Sequence, residues 1–353
     1  MVRPGLIRII LAGIVVVVHL TRFNYLGEFA VDCFFMLSGY WIALMFNEKY
    51  SKKEKAIGIF YISRFWRILP VFYVFSLLGL IVHFISGDLM SKYNAIHSSG
   101  LKSIFWISNV SLLTYDLTPF RLLGPAWSLD IEMQFYLLFP LFFYLFRKQT
   151  IMLWILTGLS FLGALSIWFF FGGGALDHTI LSYLFLFLTG VLVYQADIRF
   201  PKTIQRVSLP LLGMCLILQW VMHTNRFSNN IMTIINLVCA LPILMGSVRV
   251  KSNTRDKFYG ELSYLVYLSH WVWIIPYNMA IASLHNKIGR LPYIAGFLVA
   301  TILSSLAVYY WLDRKSEKRR HQWVNFQPGL TVTQPSKISH SEEYGYKPYH
   351  RTG

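Results

Sequence analysis

The sequence predicts an all-α, polytopic integral membrane protein, and three observations carry that prediction. Its 353 residues are 56% hydrophobic and 17% aromatic but only 14% charged, and the mean hydropathy is +0.51. A folded soluble domain carries far more polar surface than this. The apolar residues fall in repeated long runs, which selects membrane helices over barrel strands. The Lys and Arg residues behind the net charge of +16 gather in a subset of the loops. That pattern belongs to loops on one membrane face and not to a nucleic-acid surface. Membrane lipids are therefore expected partners, and nucleic acid is not.

The first span is LIRIILAGIVVVVHL, Leu6 to Leu20, and a second runs from Phe29 to Phe46. A lysine-rich polar loop, Asn47 to Ile59, leads into FYISRFWRILP and a third span ending near Ile85. The segment from Gly87 to Pro125 is too polar to cross, and its LKSIFWISNVSLL portion predicts an amphipathic helix lying on the surface. Further spans are expected at 127–146, 151–171, 179–195, 208–223, 231–248, 261–283 and 291–312, giving about ten transmembrane helices. Residues 1–313 thus form a transmembrane domain. From Arg314 the chain opens with RKSEKRR and turns polar, so 314–353 is expected as a basic, disordered cytoplasmic tail.

Cys33, Cys215 and Cys239 all lie inside apolar spans, which argues against a disulfide framework. The first run lacks a small-residue cleavage site, so no cleavable signal peptide is expected. The basic loops at 49–55, 147–148, 199–206 and 249–257, with the tail, share one side when the N-terminus is inside. Both termini are accordingly expected to be cytoplasmic, in the cell (inner) membrane.

Polar residues inside the spans are the candidate functional groups. Arg8 and His19 stand on nearly the same face of the first helix, roughly 16 Å apart along its axis. A hydrocarbon core is about 30 Å thick, so Arg8 sits at one interface and His19 past the midplane. Polar groups at that depth face a protein interior or a wet cavity; the alternative is that Arg8 snorkels and His19 marks the far interface. Arg64 and Arg67 either anchor the third span or offer planar donor forks to phosphates. Asp32, in FAVDCFFMLSGYW, is an interface residue or an acid that fixes a histidine tautomer. Ser128, Glu132 and Tyr136 share a helical face, although Ser128 would also serve as a cap with Asp130 and Glu132 in the first turn. His270, in GELSYLVYLSHW, lies about 13 Å into its span and is either a hydrogen-bonded packing residue or functional.

At these residues the chain resembles the membrane-bound acyltransferase family 3, integral-membrane O-acyltransferases that modify cell-surface glycans. Arg8 and His19 fit its signature of arginine, ten residues, histidine. FAVDCFFMLSGYWI, FYISRFWRILP, AWSLDIEMQFYLLFP and LSYLVYLSHW follow its later motifs in order along most of the chain. Ala30 stands where glycine is common, and Ser63 replaces the first of a pair of arginines. The resemblance is to the stand-alone form, without a C-terminal hydrolase-like domain.

The resemblance implies transfer of an acyl group, typically acetyl, from acyl-CoA to a hydroxyl of a carbohydrate, free or lipid-linked. It makes His19 the general base, with Asp32 and Glu132 orienting it or binding sugar hydroxyls. Arg8, Arg64, Arg67, Trp127, Ser128, Tyr136 and His270 become the substrate-binding set, with Arg8, Arg64 and Arg67 on the donor phosphates. Acyl-CoA is a co-substrate; no bound cofactor and no metal are expected. A different class, a transporter or flippase of a lipid-linked glycan, would also suit buried polar residues and basic loops. What favours the enzyme is the arginine–histidine pairing and the lack of a two-half repeat.

Overall fold

The computed structural model describes residues 2–21, 24–94, 96, 98–118, 120–170, 175–222 and 226–329. Among them the protein is all helical apart from an isolated bridge between Lys53 and Gly329. The helices are α1 (Pro4–Val18), α2 (Asn24–Met45), α3 (Ala56–Ile85), α4 (Asp88–Asn94), α5 (Ser99–Ser111), α6 (Trp127–Phe146) and α7 (Thr150–Phe170). They continue with α8 (Leu184–Gln195), α9 (Lys202–Met222), α10 (Arg226–Ser247), α11 (Thr254–Ile288), α12 (Leu291–Val308) and α13 (Arg314–Phe326). Each expected span coincides with one of them.

Among the described residues, seven helical stretches are long and apolar enough to cross a membrane, so this is a multi-pass membrane protein. Two shorter apolar helices, α1 of 15 residues and α8 of 12, reach only roughly 22 and 18 Å. Both survive at that length because they are packed into protein. α1 starts at Pro4, a residue suited to the first helical position, and the Asp256 carboxylate accepts a hydrogen bond from the Leu6 amide (2.9 Å). Gly5 lets the helix lie flush on α11: a Cβ there would come within 1.8 Å of the Asp256 carbonyl oxygen. The same device joins α2 and α8, where Gly39 faces the Phe187 carbonyl and Gly190 faces that of Met36. Small residues at such crossings bring backbones together where lipid supplies no hydrophobic drive.

The centre is aromatic. Phe46, Phe60, Phe72, Phe75, Phe135, Phe139 and Phe187 are completely buried among α2, α3, α6 and α8. At the periphery, α7 and α9 turn Ile151, Trp154, Leu159, Leu209 and Ile217 outward, as helices in contact with lipid do.

Several expectations need correction. The chain after Asp313 is not disordered at its start: α13 packs on α3, with Arg320 only 4% exposed. Residues 330–353 of that tail lie outside the described residues. The loop from Asn47 begins with a π-helical turn, Phe46–Tyr50, which continues α2 and buries Tyr50 on Phe46 and Phe60. α11 starts seven residues before the expected span at 261 and runs on to Ile288, placing His270 roughly 24 Å along it. The segment 87–125 contains the expected amphipathic helix, α5, with Leu101, Ile104, Ile107 and Val110 exposed and Phe105 buried. After it, however, the chain turns back into the bundle. Leu112 adopts a left-handed conformation, and Tyr115 and Leu123 are completely buried beside α6. The Asp130 carboxylate makes this possible by accepting the amides of Thr114 and Asp116 (3.2 and 3.1 Å).

Candidate active site

Two cavities lie along α1, one toward each end. The smaller, about 160 Å³, has Arg8, Ser38, Arg64, Arg67, Glu132 and Tyr136 in its wall. The larger, about 1010 Å³, is bounded by Glu28, His19, Arg121, Trp127, Trp271 and Asn278. Val31 and Tyr267 belong to both walls, so the two spaces adjoin across them. The helical period that puts Arg8 and His19 on one face thus delivers one residue to each cavity.

In the smaller cavity α3 supplies two guanidiniums one turn apart. Arg64 donates to the Tyr50 hydroxyl (3.1 Å) and lies over the rings of Tyr50, Phe60 and Tyr136 at 5.8, 5.9 and 6.0 Å. Arg67 pairs with Asp313 (3.0 Å) and Glu317 (3.3 Å) and lies 5.5 Å over Tyr264. Both side chains point inward to partners, so they are not lipid-facing anchors. Arg8 differs: among the described residues its guanidinium makes no hydrogen bond or ion pair, although it lines the same cavity. Opposite, the Glu132 carboxylate accepts hydrogen bonds from Ser38 (2.6 Å) and, one turn along α6, from Tyr136 (2.7 Å).

Ser128 leaves this arrangement. α6 begins without a side-chain cap, so the capping alternative does not hold; Ser128 bonds instead to the Tyr267 hydroxyl (2.7 Å) and the Pro125 carbonyl (3.2 Å). Tyr267 donates to that same carbonyl (2.7 Å). This pins the wall between the two cavities to the turn that opens α6.

His19 stands at the end of α1 with its side chain exposed to the larger cavity. His270 stacks on it, centroids 5.2 Å apart and planes 26° from parallel, and Trp271 meets it edge-on at 5.1 Å. The Trp271 ring is seated over Gly124, where a Cβ would come within 2.4 Å of it. His270 is completely buried; its Nδ1 lies 3.3 Å from the Val266 carbonyl, and its Nε2 has no partner among the described residues. The Nδ1 contact fixes the neutral tautomer with a lone pair on Nε2. Trp127 borders the larger cavity and packs on Phe35 and Tyr183. Asp32 is buried in α2 but lines neither cavity, and no hydrogen bond joins it to His19 among the described residues.

The sequence residues therefore fall into two groups: Arg8, Arg64, Arg67, Ser128, Glu132 and Tyr136 at one cavity, His19, His270 and Trp127 at the other. Sequence reasoning did not single out Ser38, Tyr50, Tyr264, Tyr267, Trp271 or the α13 carboxylates. Ser38, Tyr264, Tyr267 and Trp271 left a signal, since all four fall within the quoted motifs. Glu317 left none, because a segment as charged as RKSEKRR carries no mark of burial.

Fold and site together define a multi-pass helical membrane protein with a guanidinium-lined cavity abutting one that exposes a histidine. The acyltransferase domain family matches residues 3–310, and the chain belongs to that family. It is 31% identical over 168 residues to peptidoglycan O-acetyltransferase OatA of Listeria monocytogenes, an alignment covering 44% of this chain and 26% of that protein. It is 32% identical over 137 residues to O-acetyltransferase OatA of Staphylococcus aureus, covering 36% and 22% respectively. The chain thus spans about a quarter of the length of these relatives. No solved structure matches it.

Proposed function

We propose that the protein is a membrane O-acetyltransferase that moves an acetyl group from acetyl-CoA to a hydroxyl of a cell-surface carbohydrate. The observation that carries this reading is the division of labour along α1: Arg8 opens on a cavity with Arg64 and Arg67, His19 on the cavity next to it. Guanidiniums in a confined space suit the phosphates of a nucleotide-bearing donor. The pantetheine arm is long enough to carry the thioester from there toward His19, past the shared wall at Val31 and Tyr267. The larger cavity suits a sugar, with Trp127 and Trp271 as flat faces and Glu28 and Asn278 as hydrogen-bonding groups.

In the reaction the acceptor oxygen attacks the thioester carbonyl carbon while His19 takes the hydroxyl proton. The carbon–sulfur bond breaks, the ester carbon–oxygen bond forms, and the proton finishes on the departing thiolate as free CoA. His270 stacks on His19 and limits its orientation. Glu132 binds the substrate from the donor side, held by Ser38 and Tyr136. In this reading both termini and the arginine cavity are cytoplasmic, the larger cavity opens outward, and the membrane is the cell (inner) membrane. The relatives' names point to peptidoglycan as the acceptor class.

The test is purified protein in detergent with radiolabelled acetyl-CoA and soluble glycan fragments. The expected result is acceptor-dependent release of free CoA with the label esterified to the sugar. A protein that binds glycan but never consumes thioester would instead be a carrier.

A further inference from the structure

Helix α13 follows the last span and takes no part in the reaction described above, yet its buried side chains reach α3 behind the arginines that line the smaller cavity. We propose that α13 is a working part of that cavity, with Glu317 and Arg320 as positioning residues that hold Arg67 and Arg64 in the orientation a polyanionic donor requires. The inference rests on the reading that the cavity binds acetyl-CoA.

A continuous string of polar contacts carries it. Arg67 donates through Nη1 to Asp313 and Glu317 (3.0 and 3.3 Å). Arg320 grips Glu317 through Nη2 (2.6 Å) and Nε (3.2 Å). Its remaining terminal nitrogen, Nη1, donates to Ser63 Oγ (2.7 Å). Ser63 lies 2.8 Å from the Tyr50 hydroxyl, which also accepts from Arg64 (3.1 Å). Ser63 accepts from Arg320, and either hydroxyl of the Ser63–Tyr50 pair can donate to the other. The two cavity arginines are thereby joined through α13 and not directly to each other.

Burial makes the string consequential. Arg320, Asp313, Tyr50 and Ser63 are 4%, 2%, 1% and 0% exposed, so water cannot replace a missing member. Arg67 uses only Nη1 in these bonds; among the described residues its Nη2 and Nε have no partner, which leaves an edge of the fork for a ligand. Three guanidiniums around about 160 Å³ repel one another, and the Asp313 and Glu317 carboxylates offset that from the side away from the ligand. α13 is fixed where it can do so: Trp66 donates to Ser316 (3.0 Å), its ring packs on Trp323 (6.0 Å), and the bridge between Lys53 and Gly329 ties down the end.

The experiment measures donor KM, acceptor KM and kcat, with melting temperature, for the full-length native protein and for Glu317→Gln, Arg320→Gln, Glu317→Asp and Ser63→Ala. Donor KM should rise roughly tenfold in the two Gln variants, as for loss of one hydrogen bond to a charged group. Acceptor KM and kcat at saturating donor should hold, and Glu317→Asp, which keeps the carboxylate, should recover part of the donor KM. Ser63→Ala reads the same string from its other end if a Gln variant fails to insert. In an Arg67→Ala background Glu317→Gln should add nothing, whereas a merely structural effect would add in full. Native donor KM in the Gln variants, with a raised one in Arg67→Ala, would reduce α13 to packing and overturn the inference. Native donor affinity in Arg67→Ala would overturn the reading of the cavity and the inference with it.

Discussion

In the smaller cavity most charged groups are already held: Arg67 by two carboxylates, Arg64 by Tyr50, Glu132 by Ser38 and Tyr136. In the larger one, among the described residues, His19 is held by ring contacts alone and its side chain is exposed. The first arrangement is rigid and small, suited to an occupant whose anionic groups are always the same. The second is roomy and leaves His19 accessible, suited to an acceptor that must enter, react and leave. In the proposed reading, recognition and chemistry fall to different neighbourhoods of one helix, and variants should sort accordingly.

The largest effect is expected at His19. His19→Ala removes an exposed group from a cavity wall, so the protein should insert normally, while acetyl transfer should fall by roughly 100-fold or more, as for loss of a positioned base. Single-turnover transfer at saturating donor reads this directly. Next comes the donor end. Arg67→Ala should weaken acetyl-CoA binding by about 1.5–3 kcal/mol, and Arg67→Lys should recover only part, lacking the planar fork. Equilibrium titration with a non-hydrolysable acetyl-CoA analogue checks it.

A packing variant at the α2–α8 crossing, next to Ser38 in the wall of the smaller cavity, tests whether the scaffold is what holds them. Gly39→Ala places a Cβ 2.0 Å from the Phe187 carbonyl oxygen, and the forced separation of α2 and α8 should cost about 1–3 kcal/mol. Thermal unfolding in detergent should show the loss, with both cavities affected alike. The smallest effect belongs to the rim of the larger cavity. Burial opposes ionisation of Asp88, but Lys92 and His83 prevail and hold its carboxyl below the ordinary range. A depressed folded pKa means the group stabilises the fold above its unfolded value, near 3.8, and loses that contribution as pH falls through the folded value. Asp88 is 31% exposed, so Asp88→Asn should cost less than about 1 kcal/mol at neutral pH. The difference from native should vanish in acid, as read by melting temperature across pH 2 to 7.

Periodicity made much of this legible in advance. The facing of Arg8 and His19, and the bond from Tyr136 to Glu132, follow from helical geometry within one element and needed no partner to be known. Ser128 shares that face by spacing and lines the same cavity, yet its hydroxyl bonds to Tyr267 of α11 and not to Glu132. Asp32 shows the same limit: its depth was readable, but that it lines neither cavity is decided by how α2 packs against its neighbours. α13 was missed for a related reason. Its composition is that of a solvated segment, and Arg67, which helps to bury Glu317, lies 250 residues earlier in sequence. The re-entrant turn at Tyr115 likewise depends on Asp130 accepting its neighbours' amides, which no local pattern announces.

The claim that recognition and chemistry are separated is tested most directly by donor-saturation curves for His19→Gln and Arg64→Ala measured side by side, with labelled acetyl-CoA and one acceptor. Gln keeps the size of histidine but cannot take the proton. His19→Gln should keep native donor affinity and lose roughly 100-fold or more in maximal rate. Arg64→Ala should show the reverse, a raised donor requirement with the maximal rate largely retained. Near-native maximal rate in His19→Gln, or loss of the same quantity in both variants, would contradict the separation.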